Sequence, residues 1–98
     1  MSNTIAGFQW DSHNWQKCGK HGVKKHAIEA LFQSIFAVYP DPNRIETRFR
    51  AIGKTQNGRT IFVVFRLIEA HDKILIRPIS ARFMHKKELL HYEKSKKE

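Results

Sequence analysis

Residues 59–68 read RTIFVVFRLI and contain one of the longest apolar runs of the chain. Side chains that are apolar on both faces are typical of a strand at the centre of a sheet. The Asn57-Gly58 pair just before the run is a strong signal for a hairpin turn, because glycine readily adopts the positive φ that such turns need. The stretch therefore predicts a central strand that is entered from a hairpin.

The residues before the hairpin, 46–54, alternate in character as in a strand with two different faces. One predicted face carries Glu46, Arg48, Arg50 and Ile52, and the other carries Phe49 and Ala51. The charged side chains of this strand are therefore expected to share one surface of the sheet.

The residues after the central strand predict a turn at 69–72 and a last strand at 73–79. Pro78 has no N–H to donate to a neighbouring strand, so the last strand is expected either at the edge of the sheet or with a bulge at its end. Residues 8–10 are predicted to form a short first strand, and residues 35–39 a short strand or an extended exit from a helix. Together these segments predict an antiparallel meander of about four strands.

Three segments show helical signals. Asp11 is a favourable N-cap for a helix over residues 12–18, and apolar residues recur at spacings of three and four over residues 23–34. Ser80 is predicted to cap a final helix over residues 82–94. The predicted fold class is therefore α+β, with an antiparallel sheet, two N-terminal helices and one C-terminal helix.

The chain has 98 residues, 41% hydrophobic and 11% aromatic, which is typical of one globular domain. The predicted domain covers residues 1–98, with its core over residues 8–93 and short flexible termini. The apolar runs are too short to cross a membrane, and the N-terminus lacks the features of a secretory signal. Since the single cysteine, Cys18, cannot form an internal disulfide, these features predict a cytoplasmic protein.

The net charge of the chain indicates which classes of partner it can attract. Eighteen Lys and Arg against nine Asp and Glu give a net charge of +9 and a pI of about 10.1. A field of this sign attracts polyanions, so RNA, DNA, an anionic membrane surface and an acidic partner protein all qualify. A protein that is merely soluble and basic is the alternative.

Familiar motifs for metals and nucleotides are not found in the sequence. It has no Gly-rich phosphate loop, no HExxH and no paired CxxC, and its six histidines do not form a ligand spacing. We therefore expect neither a metal nor a cofactor. Cys18 lies beside Lys17 and Lys20, which would lower the pKa of its thiol, whereas the alternative is an ordinary half-buried thiol.

Arginines inside strands are a stronger sign of a functional surface. Arg66 and Arg77 interrupt apolar runs, where a guanidinium is costly unless it reaches solvent or an anion. Pairing in register would bring them to the same sheet surface as Glu46, Arg48 and Arg50. Such a cluster suits RNA cleavage without a metal, since one group takes the proton of the ribose 2′-hydroxyl, arginines stabilise the phosphorane and another acid protonates the leaving oxygen. Ordinary surface ion pairs are the alternative.

The predicted last helix places Arg82, His85, Leu89 and Tyr92 along one side. Tyr92 is expected either to stack on a base or to exchange a proton, and the alternative is a packing aromatic whose hydroxyl reaches water. Lys86, on the same helix, is a further candidate for contact with RNA.

Several blocks of the sequence resemble BrnT ribonuclease toxins of type II toxin–antitoxin systems. The similarity runs from about residue 8 to residue 93, and it rests on the order and spacing of the blocks rather than on any single one. The blocks are Phe8-Gln9-Trp10-Asp11, Lys20-His21-Gly22-Val23, Ile28-Glu29-Ala30-Leu31-Phe32, Arg48-Phe49-Arg50-Ala51-Ile52-Gly53, residues 58–65, residues 76–84 and residues 88–92.

The resemblance implies a RelE-like α+β fold and metal-independent ribonuclease activity that halts growth. It also implies a BrnA-like antitoxin, which masks the toxin and helps it to bind operator DNA as a complex. By position it implies catalytic roles for Glu46, Arg48, Arg77, Arg82 and Tyr92, and lesser roles in RNA binding for Lys20 and His21. The general base stays open between Glu46, His21 and Tyr92, and Arg50, Arg66 and Lys86 are further candidates for RNA binding.

The sequence departs from the family pattern at two places. Lys24 stands where family members usually have a Ser or Thr that caps the next helix. Asn43-Arg44-Ile45 replaces an acidic, histidine-containing stretch that often follows the position of Pro42.

Three functions therefore compete. The first is a ribonuclease toxin, and the second is a module that binds RNA or an antitoxin without catalysis. The third, a DNA-binding regulator, ranks last because the sequence shows no helix-turn-helix signature and its charge is spread over strands and both termini.

Overall fold

The computed structural model describes residues 5–34, 36–42 and 45–96, without the side chains of Tyr92, Glu93, Ser95 and Lys96. In these residues, five strands form one sheet and three helices accompany it. The strands are β1 (Ile5–Phe8), β2 (Phe36–Asp41), β3 (Arg48–Lys54), β4 (Thr60–Ala70) and β5 (Lys73–Phe83). The helices are α1 (Ser12–Gly19), α2 (Lys25–Leu31) and α3 (Lys86–Lys96).

The strand order across the sheet is β1-β5-β4-β3-β2. The α+β class, the three helices and the central position of β4 are confirmed, and Gly58 adopts the positive φ of 79° expected in the hairpin before β4. The prediction of about four antiparallel strands is wrong, because β1 joins the edge of the sheet and runs parallel to β5. β1 also begins and ends earlier than the predicted 8–10 and shares only Phe8 with it. After Phe8 the Gln9 amide still donates to the Ile76 carbonyl oxygen over 2.8 Å.

β5 is longer than predicted and is not an edge strand, since it pairs with both β1 and β4. Phe65 lies opposite Pro78 and Val64 lies opposite Ser80, which leaves Ile79 without a counterpart. This is a β-bulge of one residue, so the second of the two interpretations of Pro78 is confirmed. The strand continues through the bulge to Phe83, which pairs with Ile61.

The prediction of the last helix is correspondingly wrong at its start. Ser80 and Arg82 belong to β5, and α3 begins only at Lys86. At its start, Glu88 in the first turn accepts a hydrogen bond of 3.0 Å from the backbone N–H of His85, which is one half of a capping box. Strand pairing with β4 therefore overrides the local signal of Ser80.

The hydrophobic core lies between one face of the sheet and helices α1 and α2. Ile61, Val63 and Phe65 alternate along β4 and point into it, with exposed fractions of 0%, 0% and 5%. Phe32, after α2, meets the rings of three other phenylalanines at centroid distances of 5.0 to 5.7 Å. The opposite face of the sheet is not covered by these two helices, and we call it the open face.

α1 begins as predicted, because Asp11 caps it with a complete capping box. The Asp11 carboxylate accepts a bond of 3.0 Å from the Asn14 amide, and the Asn14 side-chain oxygen accepts one of 2.7 Å from the Asp11 amide. The side-chain nitrogen of the buried Asn14 also donates to the carbonyl oxygens of Gln9 (3.0 Å) and Pro78 (2.8 Å). Asn14 thus joins the exit of β1, the start of α1 and β5 beside the bulge.

α2 covers Lys25–Leu31 and ends earlier than the apolar periodicity predicts. Its N-cap is Lys24, whose backbone is extended and whose side chain makes no capping hydrogen bond. The departure from the family pattern at this position therefore leaves the helix start without a side-chain cap. In the described part of the chain, none of the helices has the length and apolar character that crossing a bilayer requires.

Lys24→Ser is expected to stabilise the protein by about 1 kcal/mol, because a serine hydroxyl can accept a bond from an amide of the first helical turn. The measurement is the free energy of unfolding in urea. Lys24→Ala serves as the control, since it removes the same charge without adding a cap. Equal stability of the two variants would contradict the prediction.

Candidate nucleic-acid interface

Five arginines project from the open face of the sheet, and we call this surface the arginine face: Arg48, Arg50, Arg66, Arg77 and Arg82. The register places Arg66 directly opposite Arg77, and Arg82 directly opposite Phe62. Alternation puts these side chains on the face away from Val63 and the core. The shared sheet surface predicted from the strand arginines is therefore formed.

Glu46 lies among three of these guanidiniums. Its carboxylate contacts the Arg48 Nε at 2.6 Å and a terminal nitrogen of Arg66 at 3.4 Å. The hydrogen bond from Arg48, with the charges of Arg66 and Arg77, holds the pKa of Glu46 below its ordinary value. The half-buried carboxylate of Glu46 is thus kept ionised beside the guanidiniums of Arg48 and Arg66.

Arg77 is the most enclosed of the five, with 17% of its side chain exposed. One terminal nitrogen donates to Gln9 Oε1 at 3.1 Å and to Asp11 Oδ2 at 2.9 Å. Asp11 therefore serves two purposes, since its other oxygen caps α1. The Asn14 amide and, next, the Arg77 guanidinium hold the pKa of Asp11 below its ordinary value.

Arg82 forms a two-pronged ion pair with Glu88, with N–O distances of 2.6 and 2.7 Å. Its guanidinium lies 4.7 Å from the centre of the Phe62 ring, and that of Arg50 lies 5.5 Å from the same ring. Arg50 is paired in turn with Asp41 at 2.7 Å. The aromatic ring and the two carboxylates thus fix the orientation of both arginines.

The Arg82–Glu88 pair is expected to make α3 sensitive to acid. The hydrogen bond from Arg82 lowers the pKa of Glu88 to about 2 in the folded protein. The stabilisation is therefore complete above about pH 4.5, the unfolded value, and is lost as the pH falls from there towards 2. Because the two side chains are 33% and 36% exposed, solvent screening limits the effect to about 1 kcal/mol.

The measurement is the free energy of unfolding at pH 6 and at pH 3, compared between the wild type and Glu88→Gln. The wild type is expected to lose more stability than the variant, since the variant has no carboxylate to protonate at this position. Equal losses would show that other carboxyl groups account for the acid sensitivity.

The structure brings only some of the predicted site residues together. Glu46, Arg48, Arg66 and Arg77 form one cluster. Arg82 lies about 13 Å further along the sheet, four residues from the level of Arg66, at a rise of about 3.3 Å per residue. The predicted helical stripe of Arg82 with His85, Leu89 and Tyr92 is wrong, because Arg82 is in β5 and His85 precedes α3.

The remaining predicted residues lie elsewhere. Lys86 is exposed at the start of α3, and the side chain of Tyr92 lies outside the described residues, as do Asn43 and Arg44. Lys20 and His21 are exposed in the turn between α1 and α2, which lies on the helix-covered side of the sheet. Their roles in RNA binding stay predictions, as do the catalytic roles of the other residues.

Sequence reasoning missed the partners of the arginines: Asp11, Asp41, Glu88 and Phe62. The sequence around Asp11 indicates only a helix cap. The signal for Asp41 lies in the pairing of β2 with β3, which sets Asp41 opposite Arg48 and next to Arg50. The contact of Asp41 with Arg50 can be predicted only when the register of the two strands is known.

Two other predictions concern reactive groups. Cys18 is buried, and desolvation raises the pKa of its thiol to about 11, so the lowered pKa suggested by Lys17 and Lys20 is wrong. Within the described ranges, the structure contains no group of three or more His, Cys, Asp or Glu side chains that could hold a metal ion.

The fold and the arginine face define a basic α+β protein whose exposed sheet surface presents guanidiniums suited to phosphate groups. The chain belongs to the BrnT family: the family model described as "Ribonuclease toxin, BrnT, of type II toxin-antitoxin system" matches residues 10–88. This confirms the resemblance noted in the sequence, and membership implies an antitoxin partner. A comparison with curated proteins gave no match.

Proposed function

We propose that the protein is a metal-independent endoribonuclease toxin whose cleavage of RNA arrests growth. The observation that carries the proposal is the position of Glu46 between the guanidiniums of Arg48 and Arg66, with the charge of Arg77 nearby. A carboxylate that can take a proton lies there beside cations that can stabilise a phosphorane. The family membership supports the same activity.

The reaction begins when Glu46 takes the proton of a ribose 2′-hydroxyl. The 2′-oxygen then forms a bond to the adjacent phosphorus, and the bond from phosphorus to the 5′-oxygen breaks. Arg48, Arg66 and Arg77 stabilise the charge that develops on the phosphorane oxygens. Tyr92 is the candidate acid that gives a proton to the leaving 5′-oxygen, so the products carry a 2′,3′-cyclic phosphate and a 5′-hydroxyl.

The proposal also includes a partner protein and a cellular location. A RelE-like domain covering residues 1–98 would act on cellular RNA in the cytoplasm and be neutralised by a BrnA-like antitoxin. The complex of the two, rather than this chain alone, would bind operator DNA. A small open reading frame beside this gene, encoding a helical DNA-binding segment, would support the pairing.

The proposal is tested with purified protein, total RNA and EDTA, beside the Arg82→Gln variant. The wild type is expected to cleave RNA in the presence of EDTA. The variant is expected to be slower at low RNA concentration, because Arg82, further along the sheet than the cluster around Glu46, would hold the RNA strand rather than the reacting phosphate. Arg82→Gln removes the charge but keeps a hydrogen-bonding group over Phe62. Intact RNA with both proteins would refute the proposal.

The second candidate is a module that binds RNA or an antitoxin without cleavage. One observation favours it: each of the five arginines already contacts a carboxylate of the same chain. An incoming phosphate must compete with those partners. Tight RNA binding without cleavage in the EDTA experiment would select this candidate.

A further inference from the structure

The net charge of +9 is not concentrated on the arginine face. The five guanidiniums of that face are met by the four carboxylates of Asp11, Asp41, Glu46 and Glu88, so the surface contributes one net positive charge. The other eight must lie elsewhere on the chain, and electrostatic attraction of a polyanion depends on where they are.

A second surface lies on the helix-covered side, between α2 and the β3–β4 hairpin. It is a groove of about 480 Å³ lined by His26 from α2 and by Lys54, Gln56 and Asn57 from the hairpin, among others. We call it the hairpin groove. Small apolar side chains of α2, Ala27 and Ala30, line its other wall. The hairpin side offers a cation and amide groups, which are the usual protein partners of phosphate and sugar oxygens.

Arg59 extends this surface beyond the hairpin. Its guanidinium carbon lies over the Phe83 ring, 3.6 Å from the ring centre, in a cation–π contact. A Cβ on Gly22 would be 3.8 Å from Phe83 Cε2, so the turn between α1 and α2 lies against the same ring. Phe83 therefore links Arg59 to the turn that carries Lys20 and Lys24.

The cations of this surface are not neutralised within the described chain. Lys20, Lys24, Lys54 and Arg59 are exposed, and none of them forms an ion pair with a carboxylate of the described residues. Lys54 and Arg59 flank the β3–β4 hairpin, and Lys20 and Lys24 each lie two residues from Gly22, which faces the same Phe83 ring as Arg59. Four positive charges thus border this side of the molecule, in contrast to the single net charge of the arginine face. The hairpin groove and its surroundings are the better electrostatic target for a polyanion.

The two surfaces meet at the end of β5. Arg82 and Phe83 are consecutive residues of one strand, so their side chains point to opposite faces of the sheet. Arg82 belongs to the arginine face, and Phe83 carries Arg59 on the other side. The path from Arg82 to Arg59 therefore passes around this end of the sheet.

We propose that Lys20, Lys24, Lys54, Arg59 and the hairpin groove form a second binding surface for the phosphate backbone of single-stranded RNA that continues from the arginine face. The inference rests on the proposed function, since it extends the path of the same RNA. Arg59 contacts Phe83 and is exposed to solvent, so an RNA base can stack on its guanidinium.

An acidic protein segment fits this surface less well. Protein interfaces usually contain a buried apolar centre. The exposed large apolar residues of the described chain are Ile5, Trp15, Val38, Tyr39, Ile45, Leu67 and Leu90, and none of them lines the hairpin groove. Uncompensated cations around a groove whose hairpin side exposes amide groups are typical of contacts with a nucleic-acid backbone.

The test measures binding of a fluorescent single-stranded RNA with 2′-O-methyl groups throughout, which cannot be cleaved through its 2′-oxygens. Lys54→Gln/Arg59→Gln is compared with Lys73→Gln/Lys94→Gln, which removes two exposed lysine charges elsewhere. At low salt, the first pair is expected to raise Kd about tenfold and to reduce the slope of log Kd against log salt by about 1.4. The control pair is expected to stay near the wild type in both.

Thermal unfolding shows whether each variant folds. If loss of the Arg59–Phe83 contact unfolds the first pair, Lys24→Gln/Lys54→Gln removes two charges of the same surface and leaves that contact in place. RNA affinity and salt slope equal to those of the control pair would overturn the inference, as would a loss of affinity for an antitoxin with RNA binding unchanged. Failure of the proposed function is a separate result, since it appears as absence of cleavage by the wild type.

Discussion

Glu46→Gln is expected to slow RNA cleavage by about 10²- to 10⁴-fold, the usual contribution of a positioned general base. Glutamine keeps the size of the side chain and an oxygen that can accept hydrogen bonds from Arg48 and Arg66. It cannot take the proton of the 2′-hydroxyl. The loss is therefore expected in kcat rather than in KM.

The measurement is the single-turnover rate on a defined RNA from pH 3.5 to pH 9. Glu69→Gln is the matched control, because it makes the same chemical change at an exposed position near the far end of β4. Since the neighbouring arginines hold the pKa of Glu46 below its ordinary value, the wild-type rate should fall only in acid, below about pH 4.5.

If a histidine rather than Glu46 is the general base, the dependence of the cleavage rate on pH is expected to differ. A histidine base would produce a fall in rate near neutrality that persists in Glu46→Gln. His21 lies on the helix-covered side of the sheet, away from the cluster around Glu46, which argues against it. A full rate for Glu46→Gln would remove the carboxylate from the mechanism altogether.

Asn14→Ala is expected to lower the free energy of unfolding by about 3 to 4 kcal/mol, since it removes several hydrogen bonds at a buried position. The carbonyl oxygens of Gln9 and Pro78 and the amide of Asp11 would each lose this side-chain partner. Typical domains are stable by only about 5 to 15 kcal/mol. The change therefore removes a large share of the total.

Urea denaturation measures this effect. Gln16→Ala on the exposed side of the same helix is the control, because it also truncates an amide side chain and is expected to change stability by less than about 0.5 kcal/mol. Similar losses for the two variants would show that the bonds of Asn14 add little. Asn14→Ala is also expected to slow RNA cleavage, because Asn14 bonds to Gln9 and Asp11, the two residues that contact Arg77.

The sequence predicted the parts of the fold that depend on local pattern. Residues 59–68 are apolar on both faces because β4 is flanked by strands on both sides, and Asp11 can be recognised because a cap acts within four residues. The pairing of β1 with β5 joins residues about 70 positions apart, as with Ile5 and Ile74. No local pattern reports such a contact, so the fifth strand could not be counted in advance.

The same distinction holds for the candidate site. Glu46, Arg48 and Arg50 could be placed on one face because a strand alternates with a period of two. The ion pair of Arg77 with Asp11 and the stacking of Arg82 on Phe62 depend on tertiary packing. The local sequence places Arg82 in a helix, because the extent of β5 is set by its partner strand and not by its own residues.

The bulge at Ile79 has a consequence for the two arginines of β5. Arg77 and Arg82 are five positions apart, an odd number, so in a regular strand they would point to opposite faces of the sheet. The unpaired residue between them reverses the parity of the alternation, and the register then sets both with the even-numbered residues of β4, Arg66 and Phe62. One additional residue thus decides whether Arg82 meets solvent or the hydrophobic core, which makes the number of residues at this point as important as their chemical nature.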